Sequence, residues 1–123
     1  MAYRSVKQIA ASLLLCLLAT YALAHTTVIG TSPKVGSLEQ SPPFIEISFR
    51  DPVRLTSVVA VESGKPGRKL EFTPADSAAK FKVIDPKLGP GRAEIQWKAL
   101  SKDGHVISGS LIFVIEPATA KTN

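Results

Sequence analysis

The sequence predicts an all-β domain, a β-sandwich or small barrel. Three observations lead there. Short stretches alternate apolar and polar residues with a period of two, as half-buried strands do. Proline- and glycine-rich breaks separate these stretches at short intervals. No segment after residue 24 holds a helical period.

The first element is a targeting segment. Arg4 and Lys7 precede an apolar run from Ile9 to Leu18, and Ala22-Leu23-Ala24 puts small residues at the two positions a signal peptidase reads. The run is short for a membrane-spanning helix, which needs ~20 residues. Cys16 follows Leu15 rather than a small residue, which argues against lipidation. The expectation is a secretory signal over residues 1–24, cleaved after Ala24, and a single domain over 25–123. Removing 24 of the 123 residues leaves 99, room for one domain.

The strands follow in order. Phe44–Phe49 alternates, with Ile45, Ile47 and Phe49 on one face. Ser57–Glu62 is valine-rich and suits a buried strand. Leu70–Phe72 and Phe81–Val83 are short alternating pieces. Ala93–Ala99 is the clearest alternation, turning Ala93, Ile95, Trp97 and Ala99 inward and giving Trp97 a core role. Ser110–Ile115 closes the series with Leu111, Phe113 and Ile115 on one face. Turns are expected at Ser32-Pro33, Ser41-Pro42-Pro43, Ser63–Gly67, Asp85-Pro86 and Gly89-Pro90-Gly91. Asp103-Gly104, between a strand ending near Leu100 and one starting near Val106, signals a hairpin.

Composition narrows the function. The formal charge of +5 drops to +3 once Arg4 and Lys7 are removed, and no basic cluster marks a nucleic-acid surface. Cys16 is the only cysteine and Met1 the only methionine, so the domain carries neither thiolate nor thioether, the soft ligands that Cu(I) prefers. Without a disulfide the fold relies on its apolar core.

The two histidines are the informative residues. Cleavage after Ala24 makes His25 the first residue, where a free α-amine and an imidazole can close one chelate ring. His105 adds a second imidazole. Asp103, two residues away around the hairpin turn, adds an oxygen on the same side if the backbone there is near-extended. Such a nitrogen and oxygen set suits the tetragonal preference of Cu(II). Ser101, Ser108 and Ser110 lie near His105 in sequence, but no nucleophile elbow accompanies them and a catalytic triad is not expected. The glycines form no phosphate-binding motif.

Four stretches resemble the CopC family of periplasmic copper-binding proteins. They are the start at His25, Thr31-Ser32-Pro33-Lys34-Val35-Gly36-Ser37, Ile47-Ser48-Phe49-Arg50-Asp51-Pro52-Val53, and Ile95 to Ser110 with its Asp103-Gly104-His105. The last is the most specific, similar to the family's W-x-x-x-S-x-D-G-H-x-x-x-G. The resemblance implies an Ig-like Greek-key β-sandwich of about seven strands. It implies one Cu(II) per chain, held by His25, Asp103 and His105. Asp51 stands where the family has a glutamate near the metal, and is expected to orient the amine or a bound water. A periplasmic location, a copper ion as the bound partner, a CopD-type inner-membrane copper transporter as a further one, and a monomeric state are the remaining expectations. No nucleic-acid partner and no enzymatic activity are expected. Two other classes compete. A copper-dependent oxidative enzyme, like the lytic polysaccharide monooxygenases, would need an open coordination position and aromatics to spare from the core. A metal-free Ig-like interaction module would be indifferent to both histidines.

Overall fold

The computed structural model describes residues 27–117. The expected signal segment and His25 lie outside these residues. Eight strands follow in order: β1 (Val28–Ser32), β2 (Gly36–Leu38), β3 (Phe44–Glu62), β4 (Arg68–Lys69), β5 (Phe72–Thr73), β6 (Ala78–Ile84), β7 (Gly91–Leu100) and β8 (Val106–Ile115). Every regular element among the described residues is a strand, as the alternation predicts.

β3 organises the molecule. Its first half pairs antiparallel with β1 on one side and β6 on the other. Its second half pairs with β7 and, briefly, with β4. One strand of 19 residues thus belongs to both layers. The sequence predicts two strands here, Phe44–Phe49 and Ser57–Glu62, because Arg50-Asp51-Pro52 interrupts the apolar alternation. The structure joins them. Pro52 has no N–H to give a ladder, and it sits where the strand leaves one layer for the other. The inward positions also change parity along β3. Ile45, Ile47, Phe49, Val53 and Leu55 are buried, and then Val58 and Ala60. The cause is a bulge at Thr56: Leu55 opposes Ala99 and Ser57 opposes Lys98, leaving Thr56 as the extra residue. Its hydroxyl donates to the Lys98 carbonyl at 3.1 Å, so the interruption keeps a hydrogen bond.

The expected piece Leu70–Phe72 is likewise divided. β4 pairs with the second half of β3, β5 pairs with β6, and the chain crosses between the layers at Leu70-Glu71. Leu70 turns into the core as it crosses, at 8% exposure. β1 and β2 carry too few apolar residues to alternate clearly, and alternation alone identifies neither. β2 joins the sheet by parallel pairing with Phe113–Ile115 of β8.

The core lies between the layers. Ile45, Ile47 and Phe49 meet Phe81 and Val83 of β6, Ala93, Ile95, Trp97 and Ala99 of β7, and Leu111, Phe113 and Ile115 of β8. Phe49 stands edge-on to both Phe81 and Trp97, with centroids 5.9 and 5.1 Å apart. Trp97 is 4% exposed, the core role its alternation predicts. Gly109 pairs opposite it, and a Cβ there would come within 2.7 Å of the indole, so glycine makes room for the ring. No described polar or charged side chain is buried, which suits a domain that folds on apolar packing alone.

Candidate metal centre

The β7–β8 hairpin places the candidate ligands. Its strands pair from Gly91↔Ile115 to Leu100↔Val106, so the loop occupies residues 101–105, where the Asp-Gly signal puts it. The Gly104 N–H donates to the Ser101 carbonyl at 2.9 Å, and the Ser101 N–H donates to the His105 carbonyl at 2.8 Å. Gly104 has φ +85°, a left-handed conformation that glycine adopts without strain and that closes the turn.

Asp103 and His105 meet across this turn. The Asp103 carboxylate oxygen Oδ2 lies 2.8 Å from the His105 ring nitrogen Nδ1. The other oxygen, Oδ1, accepts a hydrogen bond from the Ser101 hydroxyl. That hydroxyl accepts in turn from the His105 main-chain N–H at 3.2 Å. The Ser101 hydroxyl, and then His105, hold the Asp103 carboxyl at about 2, below the ordinary 3.8. The pair is well exposed, with side-chain accessibilities of 79% for His105 and 68% for Asp103.

An open cleft of about 520 Å³ adjoins the hairpin. Thr27, Arg50, Asp51, Val53, Lys102 and Asp103 are among its lining residues. The fold explains the gathering. Arg54 of β3 pairs with Leu100 of β7, so the β3 crossing and the β7–β8 loop share one end of the sandwich. Val28 of β1 pairs with Phe49, and the Arg50 N–H donates to the Thr27 carbonyl at 3.0 Å. The described chain therefore starts at that same end.

The structure brings Asp103 and His105 into contact and sets Asp51 on the same cleft as Asp103. Asp51, Asp103 and His105 do not converge into one group of three donors; among the described residues no such group of His, Cys, Asp or Glu exists. His25 lies outside the described residues. One residue that sequence reasoning set aside is prominent. Ser101 matters there only as a candidate nucleophile, whereas its hydroxyl meets the Asp103 carboxylate and the His105 backbone rather than the imidazole. The spacing Ser-x-Asp around a turn, where hydroxyl and carboxylate compete for local backbone groups, is the signal that points to it.

Comparison with known proteins places this geometry in context. Residues 28–116 match the model of the CopC domain. Copper resistance protein C of Pseudomonas syringae pv. tomato is 30% identical over 112 residues, an alignment that spans 81% of this chain and 87% of that protein. CopC from Methylosinus trichosporium OB3b superposes with a TM-score of 0.65 at 21% identity, covering 80% of this chain and all of the other. PcoC, a methionine-rich copper resistance protein from Escherichia coli, superposes with a TM-score of 0.53 at 21% identity, over 76% of this chain and all of that one. The two structural likenesses speak for a shared β-sandwich fold.

Proposed function

The chain belongs to the CopC family, and from that premise we propose that it is an exported Cu(II) carrier without catalytic activity. It sequesters copper in the periplasm or delivers it to a membrane transporter of the CopD type. It is made with a signal over residues 1–24, works as a monomer, and binds one Cu(II) through the amine and imidazole of His25, the imidazole of His105 and an oxygen of Asp103. Asp51 faces the same cleft and orients the amine or a water.

One observation carries this reading. The exposed Asp103–His105 pair stands beside the cleft that Thr27 enters. His25 is two residues before Thr27, a reach of about 7 Å. The amine and imidazole of one residue supply two donors for the ordering of one side chain, which favours tight binding. The choice of Cu(II) rests on the donors, which are nitrogen and oxygen. PcoC is described as methionine-rich, whereas Met1 is the only methionine here. Against a serine nucleophile stands Ser101, whose hydroxyl is turned to Asp103 rather than to an imidazole base.

The test is a Cu(II) titration of the protein beginning at His25, followed by electron paramagnetic resonance. The expected result is one equivalent bound with a tetragonal signal split by nitrogen, which His105→Ala abolishes. One extra residue before His25 removes the chelating amine and weakens binding by orders of magnitude. Unchanged affinity in that extended protein would sink the chelate, and no stoichiometric uptake would sink the copper reading.

A further inference from the structure

β8 has a long open edge. β7 covers one side of it along its whole length, while β2 covers the other side only over Phe113–Ile115. Over Val106–Ile112 no strand lies on that other side among the described residues. Open edges invite pairing with another chain, and proteins blunt them with brevity, bulges, charge or proline. The remaining edges here are blunted in those ways. β2 and β5 are three and two residues long. β4 consists of two cations, Arg68 and Lys69. β1 is bulged at Ile29, since Val28 opposes Phe49 and Gly30 opposes Ser48. Beyond β4, β3 carries Arg54 and the bulge at Thr56, and beyond β5, β6 carries Lys80. The open length of β8 has none of these devices. It holds no charged residue and no proline, and its register with β7 runs unbroken. Val106, at its start, is 70% exposed.

The chemistry of this edge mirrors itself about its middle. Gly109 is the midpoint, Ser108 and Ser110 flank it, then Ile107 and Leu111, then Val106 and Ile112. Antiparallel pairing with a second copy about a two-fold axis at Gly109 sets serine against serine and aliphatic against aliphatic, with no charge to repel and no Cβ at the axis. The faces match as well: Ile107 and Leu111 both point to the core side, while the residues at even positions all point outward. The loop ends at His105 and β2 begins beside Phe113, so a symmetric pairing that uses the whole open edge has no other axis. We propose that two copies of this chain pair reversibly, edge to edge, through Val106–Ile112 about a two-fold axis at Gly109, joining their β7–β8 layers into one continuous sheet. This pairing does not rest on the copper reading. The single chain stays the carrier: the paired edge begins one residue after His105, so a second copy seated there stands beside the Asp103–His105 loop, and its departure leaves that loop open.

The experiment is sedimentation velocity on the metal-free protein beginning at His25, from micromolar to millimolar concentration, with Ser108→Lys/Ser110→Lys and Ser108→Glu/Ser110→Glu beside the wild type. The wild type should rise with concentration from the mass of one chain toward that of two. Each charged variant, checked as folded by Trp97 fluorescence, should pair at least about tenfold more weakly, because like charges then stand opposite each other twice. An equimolar mixture of the two variants should regain pairing, because opposite charges then meet. A wild type that keeps the mass of one chain at every concentration would overturn the proposal. Pairing of undiminished strength in each charged variant alone would overturn it too, by assigning the contact to another face. A second measurement covers variants that fail to fold. The protein beginning at His25 has no cysteine, so oxidised Ser108→Cys/Ser110→Cys should yield a covalent dimer. A yield no greater than that of Gln96→Cys/Lys98→Cys, on the outer face of β7, would overturn the pairing.

Discussion

Asp103 shows how three neighbouring residues set one another's chemistry. Its carboxyl is held at about 2 by the Ser101 hydroxyl first and by His105 next. A depressed folded-state pKa favours the folded hairpin above the ordinary value of 3.8 and loses that contribution as pH falls through about 2. Carboxyl ¹³C NMR should therefore place the Asp103 midpoint near 2 in the wild type and higher in Ser101→Ala; a wild-type midpoint at the ordinary value would contradict the hydrogen-bonded geometry. The carboxylate is thus ionised across the working pH range. Proton competition with copper falls instead on the nitrogen donors, which must be deprotonated to bind a metal, so Cu(II) affinity should weaken as pH drops. The Asp103–His105 contact could be anticipated from the sequence because the Asp-Gly turn signal sets the two residues around one hairpin loop. The part Ser101 plays could not. A serine near a histidine fits several roles, and only the turn decides which of its neighbours the hydroxyl meets.

At the scale of the element, the hairpin's shape depends on Gly104. Its φ of +85° suits glycine, while a Cβ added there would meet nothing within 4 Å, so space is not the constraint. Gly104→Ala should destabilise the protein by about 1–2 kcal/mol through backbone conformation alone. Gly104→Asn should cost less, since asparagine tolerates the left-handed region. Thermal unfolding checks both, with roughly 4–8 °C expected per kcal/mol for a domain of this size; an unperturbed Tm in Gly104→Ala would show that the loop relaxes to another turn. The limits of alternation are clearest in β3. Its two halves could be read because each presents a regular apolar face, as with Ile45, Ile47 and Phe49. Their union could not, because Arg50-Asp51-Pro52 carries the signature of a loop while the chain there stays extended between two layers. β1 and β2 escaped for a related reason. Both are short, and β1 carries an outward Ile29 at 64% exposure that breaks the period.

Across the whole molecule, the arrangement of layers follows from apolar periodicity, whereas the convergence at one end does not. Asp51 and Asp103 are far apart in sequence and come to one cleft because Arg54 pairs with Leu100. Pairing register is a tertiary outcome, and the alternating faces of β3 and β7 constrain it only together with the bulge at Thr56. The shared strand has a consequence for unfolding. Each layer takes one half of β3, and both pack on one core, so loss of one layer strips apolar contacts from the other. A sandwich whose layers shared no strand could lose one first and populate a half-structured form. This one should melt as a single cooperative unit. Intrinsic Trp97 fluorescence, which reports the β7 layer, and amide exchange in β6, which reports the other, should give the same unfolding free energy. Separated values would mean that the crossing at Arg50-Asp51-Pro52 acts as a hinge, able to open the end of the molecule that carries Asp103 while the rest stays folded.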